Sequence, residues 1–431
     1  MFGRGQRYIS AVDVGSHKTR AVIAQLREFE DEQDLLGSDK GSLAIKVVGF
    51  GEERTQGMER GELVDIAKVA DSIRAAADDA SVMASVEVKD VVVSLSGRNT
   101  RAIDGVGTIT LTGSSASKET CAMREIVESD LQHSLEDAKS VTMRSDEKML
   151  HTILQDFSVD DQLYIKNPRG KTGERLTANM KVVLASQKAV NDLERALREA
   201  HLTPKFVVLQ ALASARACLE PDELENGVLL IDLGMGTSDA IIYFRGAPRY
   251  MSCLAMGGEF ITKDISECMG CDPRSAEQYK AMAGCTIKRA QPTEGCVDSL
   301  CAQNDDRLDP NVVKAISSRY AEIFLILRND IKRLDAEKFI KGGVVLTGGA
   351  SASEGLCELA TRVFGVPARR GNCSDADCFD GALRDPSFAS VMGLVLYGSE
   401  QVAGGGSFSD GNRSILKRAW EALTNKNLVL T

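Results

Sequence analysis

The sequence carries one short pattern twice, once near its start and once near its middle. In each copy an aspartate ends an apolar, strand-like run and a glycine follows two residues later, as in Asp13 with Gly15 and Asp232 with Gly234. A turn with small and hydroxyl side chains then leads into a second apolar run. The pattern predicts two strand–turn–strand hairpins, and their similarity predicts two homologous halves.

Turns of this composition suit phosphate groups. Glycine lets the backbone approach a ligand closely, and turn N–H groups and hydroxyls donate hydrogen bonds to anionic oxygens. An aspartate beside phosphate requires a cation between them, so we expect Asp13 and Asp232 to hold a hydrated Mg²⁺ through water. A third segment, a buried strand that enters Gly348 and Gly349, offers backbone against which a flat ligand can lie. The residues of the three segments expected to bind a nucleotide are Asp13, Gly15, Ser16, Lys18, Thr19, Asp232, Gly234, Gly236, Thr237, Ser238, Gly348 and Gly349.

Composition narrows the class of protein. The chain has 431 residues, 43% of them hydrophobic and 26% charged, which indicates two to four soluble domains. A net charge of −10 argues against a protein that coats nucleic acid. The 11 cysteines have no framework spacing, and no apolar signal or spanning segment is visible, so we expect a reduced, cytoplasmic protein. Cys268 and Cys271 form a C-x-x-C pair that is either part of a zinc site or two ordinary thiols.

The three segments, in this order, resemble the first phosphate loop, the second phosphate loop and the adenosine loop of the actin, Hsp70 and sugar-kinase superfamily. Residues 210–215 and 386–394 resemble its two connecting helices. The resemblance implies a two-lobed actin-like α/β ATPase fold with ATP and Mg²⁺ in the cleft. Gln210 either positions the water that attacks ATP or caps its helix. With Asp232 it is the catalytic candidate, and we expect at most slow ATP hydrolysis.

Further segments are similar to the FtsA branch of this superfamily. Residues 258–265 resemble its G-G-x-x-I-T-x-D motif, which brings Gly258 into the nucleotide-binding set. By resemblance Glu277 and Lys280 flank the adenosine; otherwise they are an i,i+3 pair on a solvated helix. Residues 92–97, 124–131, 153–160 and 165–170 resemble parts of the FtsA-type inserted subdomain 1C. Apolar spacing at Met123, Ile126, Val127, Leu131 and Leu135 predicts that its helix lies within residues 118–140.

The resemblance divides the chain into consecutive regions. They are subdomain 1A (1–87), the 1C insert (88–164), 1A continued (165–205), 2A with the second phosphate hairpin (206–260), 2B (261–334), 2A continued with the adenosine loop (335–385), a return helix to 1A (386–400), a flexible linker (401–412) and a C-terminal amphipathic helix (413–431).

The C-terminal segment has the features of a membrane-binding helix. Its apolar residues form one helical stripe, basic residues flank the stripe, and Trp420 is the only tryptophan of the chain. It is too short to span a bilayer, so we expect it to lie in the interface of an anionic membrane. The alternative is a helix docked on the protein's own core, which the glycine-rich linker disfavours. The expected membrane-binding residues are Ile415, Leu416, Lys417, Arg418, Ala419, Trp420 and Leu423.

Residues 318–322 resemble the R-Y-x-E helix of the FtsA family, where the C-terminal tail of FtsZ docks. Arg319 suits an acidic residue of that tail and Glu322 a basic one; the alternative is a solvated helix face. The resemblance implies an ATP-dependent polymer-former that anchors the FtsZ ring to the cytoplasmic face of the inner membrane at the division septum. It further implies self-assembly into filaments and recruitment of later division proteins. A pilus-assembly relative and a small-molecule kinase of the superfamily remain alternatives.

Overall fold

The structure, a computed structural model, describes residues 7–27, 44–111, 123–285, 309–373 and 381–403. The first lobe opens with the predicted hairpin, in which Val14 of the first strand lies opposite Thr19 of the second. Its elements are β1 (Arg7–Val14), β2 (Lys18–Arg27), β3 (Ala44–Arg54), β4 (Met58–Glu59), β5 (Glu62–Leu63), α1 (Ile66–Ala84) and β6 (Asp90–Leu95).

The insert follows β6 and is a four-stranded antiparallel sheet covered by one helix. Its elements are β7 (Thr100–Thr110), β8 (Arg124–Glu125), α2 (Glu128–Lys139), β9 (Glu147–Val159), β10 (Gln162–Ile165), β11 (Thr172–Gly173) and β12 (Arg175–Ser186). The strand order is β10-β9-β12-β7. Two glycines of β7 allow the helix to lie against the sheet, since a Cβ on Gly107 would stand 2.0 Å from the carbonyl oxygen of Ser134.

The sheet of the insert does not coincide with the predicted limits, 88–164. At its start, β6 pairs in parallel with β1 and so belongs to the sheet of the first lobe. At its end, β12 pairs with both β7 and β9, and the insert therefore continues to Ser186. The difference arises because β12 reads as an ordinary apolar strand, and only long-range pairing assigns it to a sheet.

The helix of the insert is shorter than predicted. Residues 112–122 lie outside the described part, Arg124–Glu125 is a two-residue strand, and α2 begins at Glu128. Asp130 sets this start, because its carboxylate accepts the backbone N–H of Val127 (3.0 Å) and two bonds from the Arg124 guanidinium (2.6 and 2.7 Å). Placing Met123, Ile126 and Val127 on a helical face was therefore wrong.

After the insert the chain returns to the first lobe and then builds the second. The remaining elements are α3 (Gln187–Glu199), β13 (Thr203–Leu209), α4 (Gln210–Cys218), α5 (Pro221–Asn226), β14 (Val228–Leu233), β15 (Ser238–Phe244), β16 (Ala247–Leu254), α6 (Gly258–Met269), α7 (Pro273–Ala283), α8 (Pro310–Arg333), β17 (Val344–Thr347), α9 (Leu356–Phe364), β18 (Ala368–Arg370) and α10 (Ala389–Ala403).

The two lobes share one sheet topology. The first sheet has the order β3-β2-β1-β6-β13 and the second the order β16-β15-β14-β17-β18. In each, three antiparallel strands carry the Asp-x-Gly hairpin, and two parallel strands complete the sheet. The prediction of two homologous halves from the repeated hairpin is confirmed.

Two helices connect the lobes at the base of the cleft. They are α4 and α10, which overlap the segments predicted to be the connecting helices; α10 continues to Ala403 and so includes the first residues of the predicted linker. Their side chains share a core with buried residues of both sheets, such as Ile9 and Leu230. The helices cross at Gly393, where a Cβ would stand 1.8 Å from the carbonyl oxygen of Ala213. Glycine is therefore required for the crossing.

We predict that Gly393→Ala destabilises the fold, because the added methyl group meets rigid backbone and the helices must separate. Overpacking of this kind costs roughly 1–3 kcal/mol of unfolding free energy. Thermal and denaturant unfolding measure the loss. Gly381→Ala is the matched control, since a Cβ there meets no atom within 4 Å. Equal unfolding midpoints for the two variants would contradict the proposed packing at the crossing.

Candidate nucleotide cleft

A cavity of about 360 Å³ lies between the lobes. Both hairpin turns and the segment after β17 line it, so the structure brings together residues that stand far apart in the sequence. The predicted residues that line it are Asp13, Gly15, Ser16, Lys18, Gln210, Asp232, Gly234, Gly236, Thr237, Gly258, Glu277, Lys280, Gly348 and Gly349.

Thr19 and Ser238 were predicted for this site, but neither lines the cavity. Thr19 is fully buried and shares a hydrogen bond with the Thr55 hydroxyl (2.8 Å), and Ser238 donates to the carbonyl oxygen of Met256 (2.7 Å). Successive side chains of a strand face opposite ways. Because Lys18 and Thr237 face the cavity, the residues that follow them face away.

One buried aspartate comes from each hairpin. Asp13 accepts a hydrogen bond from the Ser94 hydroxyl (2.6 Å), and its burial raises its pKa to about 6. Asp232 accepts from the hydroxyls of Ser214 (2.5 Å) and Ser390 (3.3 Å), and its pKa is also raised by burial. Serine hydroxyls from the connecting helices thus hold the second carboxylate at the junction of the two lobes.

Gln210 is the first residue of α4, and its side chain does not cap the helix. Its amide nitrogen Nε2 lies 3.5 Å from Asp232 Oδ2, while the N-cap residue Leu209 makes no side-chain capping bond. Gln210 lines the cavity beside an aspartate. Of its two predicted roles, the capping role is wrong, and the role toward water stays a prediction.

The third segment approaches Asp232 without any side chain between them. Gly348 has φ +84°, and a Cβ there would stand 2.3 Å from Asp232 Oδ1. Its N–H donates to the carbonyl oxygen of Pro386 (3.1 Å), which ties this turn to the start of the return helix. The lack of a side chain at Gly348 therefore allows the end of β17, Asp232 and the start of the return helix to lie close together.

Glu277 and Lys280 are an i,i+3 ion pair that also faces the cavity. Lys280 Nζ lies 2.6 Å from Glu277 Oε2 and donates to Thr262 Oγ1 (2.8 Å) and to the carbonyl oxygen of Gly258 (3.1 Å). Burial lowers the pKa of Lys280. The pair is therefore a local ion pair that lines the cavity; Lys280 is too buried for a solvated helix face, and a role beside adenosine stays a prediction.

Arg20 is a residue of this site that the sequence analysis missed. Its side chain lines the cavity, donates to Glu52 (2.8 Å) and reaches the Ser387 carbonyl oxygen at the start of the return helix. Its charge lowers the pKa values of Asp13 and Asp232 against the larger effect of burial. Alternation along β2 was the available signal, because Arg20 shares a strand face with Lys18.

A short hairpin of the first lobe, formed by residues 58–63 and here named the cleft hairpin, covers the two Asp-x-Gly turns. Its tip residues Arg60 and Gly61 both have positive φ, +49° and +78°. The N–H of Gly61 donates to Ser16 Oγ (3.0 Å), and a Cβ on Gly236 of the second lobe would stand 2.6 Å from the Cα of Arg60. The tip thus touches both turns.

The residues present fit a hydrated Mg²⁺. The two carboxylates are buried, held by hydroxyls, and face one cavity with glycine backbone on either side. Carboxylates that reach the ion through water are a usual arrangement for Mg²⁺ bound with phosphates. For zinc, the described part of the chain contains no group of three or more potential ligands around Cys268 and Cys271, and Cys296 and Cys301 lie outside it.

Arg319 lies on α8 in the second lobe, away from the cavity. Its guanidinium binds both carboxylate oxygens of Asp264 (2.6 and 2.7 Å) and one of Glu322 (2.6 Å). These bonds raise its pKa further. The predicted solvated face is therefore only half right, since Glu322 is exposed whereas Arg319 joins α8 to α6.

The predicted C-terminal helix and most of its linker, residues 404–431, lie outside the described residues. None of the helices in the described ranges combines the length and the apolar character that crossing a bilayer requires.

The paired sheets, the connecting helices and the cleft between them define an actin-like ATPase fold. A solved structure with this fold, described as the PilM-PilN type IV pilus biogenesis complex, covers 92% of the chain and 99% of its own, with TM-score 0.60 and 17% identity. Two family models match the sequence: Cell division protein FtsA over residues 229–393 and the SHS2 domain inserted in FTSA over residues 106–184.

Full-length relatives define the family more narrowly. The cell division protein FtsA of Borreliella burgdorferi is 31% identical over 399 residues, 91% of each chain. Those of Neisseria meningitidis and Pseudomonas aeruginosa are 29% and 28% identical, over 90% and 94% of this chain and 90% and 92% of their own. The chain belongs to the FtsA family of cell division proteins. The resemblance stated from the motifs is confirmed.

A third buried carboxylate lies beside the Asp-x-Gly turn of the second lobe. Asp239 stands opposite Asp232 in the β14–β15 pair and is 1% exposed, with Oδ1 packed against Gly97 of the first lobe. Burial, and then the charge of Asp232, raises its pKa to about 7. The neutral form is thus favoured at this contact between the lobes below about pH 7.

We predict that Asp239→Asn changes the stability little near pH 3.5 and stabilises the protein increasingly as the pH rises to 8. A folded pKa of about 7, above the unfolded value near 3.8, means that the folded state binds the extra proton between these values. Unfolding free energy is therefore lost as pH rises through that window, and asparagine removes this dependence. Unfolding midpoints at several pH values measure it, with exposed Asp335→Asn as control. Parallel pH profiles for wild type and Asp239→Asn would contradict the assignment.

Proposed function

We propose that the cleft binds ATP with Mg²⁺ and that the bound nucleotide bridges the two lobes. The observation that carries the proposal is the convergence on one cavity of two glycine turns, one from each lobe, each with a buried aspartate. Gly348 and Gly349 supply a flat backbone surface for the adenosine, with Glu277 and Lys280 beside it. The bound ion would neutralise the repulsion between phosphate and carboxylate.

Basic side chains of the first lobe complete the phosphate end. Lys18 and Arg20 share one carboxylate, Glu52, so their charges are partly balanced without a ligand. Phosphate would compete with Glu52 for Lys18, whereas Arg20 stays attached to the return helix through Ser387. Gln210 and Asp232 would orient water and ion, and hydrolysis would be slow.

Nucleotide binding in turn favours the conformation that assembles into filaments. A ligand that contacts both lobes shifts the population toward the closed cleft, by as much as its affinity differs between the two states. We propose that closed protomers assemble head to tail with their own kind, and that the insert meets the neighbouring protomer and later division proteins.

We also propose that α8 binds the division-ring protein FtsZ. An extended acidic tail, that of FtsZ, would contact Arg319 and Glu322. Leu325 and Ile326, one turn further along, are 45% and 38% exposed and supply apolar contact. Because Arg319 is held by Asp264, the tail would either share this guanidinium or displace its partner.

We further propose that residues 413–431 anchor the protein to anionic lipid at the cytoplasmic face of the membrane, at the division site. The support is the sequence pattern: one apolar stripe, one tryptophan and flanking basic residues behind a glycine-rich tether. Each basic residue near an anionic surface contributes about 1 kcal/mol. Burial of leucine, isoleucine and tryptophan adds several kcal/mol by order of magnitude.

We predict that Asp232→Asn weakens Mg·ATP binding at least tenfold. The amide cannot bind the hydrated ion as a carboxylate does, yet it keeps the size of the side chain. Isothermal calorimetry is run with Mg²⁺ and again with EDTA. Without the ion the variant should bind ATP as well as or better than wild type, because one repelling charge is gone. Unchanged affinity in Mg²⁺ removes the proposal for this residue.

We predict that Arg319→Glu weakens binding of an FtsZ C-terminal peptide and leaves ATP affinity unchanged. Asp264→Asn is the informative control, because it releases Arg319 without removing its charge. If Arg319 contacts the peptide, Asp264→Asn keeps or strengthens binding; if Arg319 only holds α6, both variants lose it alike. Fluorescence anisotropy with a labelled peptide separates the two results.

We predict that truncation after Gly406 abolishes pelleting with anionic vesicles and leaves ATP binding intact. Trp420→Glu should act in the same way, since it places a charge on the apolar stripe. Glu421→Gln, off the stripe, should not reduce binding and serves as the matched control. Equal pelleting of truncated and full-length protein would show that the tail is not the anchor.

A further inference from the structure

We propose that the insert is fastened to the second lobe, so that closing of the cleft turns the insert relative to the first lobe. The chain connects the insert to the first lobe at Thr100 and Ser186. Among the described residues, however, the most buried ion pair of the insert crosses to the second lobe. The nucleotide part of this inference rests on the proposed function, whereas the fastening does not.

The fastening centres on Asp156 of β9 and Arg249 of β16. Their side chains approach to 2.6 Å and are only 5% and 8% exposed. Asn179 of the insert donates to the other oxygen of Asp156 (2.8 Å), and Arg249 Nε donates to the Phe244 carbonyl oxygen (3.2 Å). Removing one partner of a buried pair leaves the other charge without water or counterion, so the contact is costly to break.

Neighbouring contacts extend the junction in both directions. Gln155 Nε2 donates to the Pro248 carbonyl oxygen (2.6 Å). On the other side Tyr164 packs edge-on against Phe244, with ring centroids 5.7 Å apart, and Arg245 lies 4.6 Å from the tyrosine ring. Tyr164 holds φ +60°, a conformation uncommon for an aromatic residue. Surrounding contacts must therefore maintain it.

The junction is connected to the second phosphate hairpin through one strand pair. β16 lies beside β15 with Ser238 opposite Leu254 and Ile242 opposite Tyr250, so Arg249 adjoins the strand that leaves the turn at Thr237. On the same side, Gly97 packs against Asp239, and the start of β7 lines a small cavity together with Asp239. A shift of the second turn toward the first lobe therefore moves the surface on which the insert sits.

These contacts assign different motions to the two attachments of the insert. Toward the second lobe it is held by a buried ion pair, a hydrogen bond from the Gln155 side chain to a backbone carbonyl, and an aromatic contact. Toward the first lobe it is joined by two chain crossings, at Gly97–Thr100 and at Ser186, by apolar packing of Ile153 and Val183, and by a hydrogen bond from the Leu209 N–H to His151 Nε2 (3.0 Å). When the lobes rotate, the crossings bend and the buried junction moves as a unit. The orientation of the surface that the insert presents to other molecules then depends on whether the cleft is open or closed.

Two distances test the inference. Fluorescent labels on non-natural residues at exposed Gln132 of α2 and Asn329 of α8 report the insert against the second lobe; labels at Gln132 and Asp78 of α1 report it against the first. Without nucleotide, wild type should give a narrow Gln132–Asn329 distribution. Arg249→Gln should broaden it, whereas Lys166→Gln, which breaks only an exposed pair with Glu225, should not.

Adding Mg·AMP-PNP should shift the Gln132–Asp78 distance in wild type and leave Gln132–Asn329 unchanged; Arg249→Gln should lose at least half of that shift at saturating ligand. A narrow distribution in the variant, or a shift confined to Gln132–Asn329, overturns the inference. If Arg249→Gln does not fold, Gln155→Ala takes its place with the same expectations. Absence of nucleotide binding by wild type would count against the proposed function alone, because the nucleotide-free distributions still decide the fastening.

Discussion

Two carboxylates held out of water at the meeting point of two sheets are the constraint around which this molecule is arranged. Asp13 and Asp232 are each buried, and each is raised in pKa by that burial. Serine hydroxyls from β6, α4 and α10 and the guanidinium of Arg20 offset part of the cost. These groups come from the first lobe and from both connecting helices, whereas Asp232 itself belongs to the second lobe. The pKa values of the two carboxylates therefore depend on the relative position of the lobes. The preferred position of the lobes depends in turn on what lies between the carboxylates.

The local part of this arrangement could be predicted from the sequence. An aspartate, a glycine and a turn between apolar runs define a hairpin within a few residues, and the repeat identified the two halves. Strand alternation would also have excluded Thr19 and Ser238 and found Arg20. The insert was harder, because its limits depend on which sheet β12 joins and on a carboxylate, Asp130, that starts α2 early. Contacts such as that between Asp156 and Arg249 join residues far apart in the sequence, and no local pattern predicts which residues will pair.

The proposed partner site on α8 could likewise be predicted only in part from the sequence. The motif on α8 predicted two charged residues for a partner, and the structure shows that one of them also holds two helices together. Because Arg319 has this structural role besides its proposed one, its substitution alone is hard to interpret, and its release through Asp264 is more informative than its removal. The family assignment, based on whole-chain similarity, is independent of these side chains.

The cleft hairpin bears on how long a ligand stays bound rather than on how tightly it binds. Its tip closes over both turns, with the Gly61 N–H bonded to Ser16 and Gly236 packed under Arg60. Under the proposed function, a ligand's charged end would be roofed, and it could leave only when the lobes part. Neighbours that hold the lobes together would then lengthen its stay. The bound nucleotide would record how long a subunit has been part of an assembly, and a freshly exchanged subunit would differ from an old one without any change in sequence or modification.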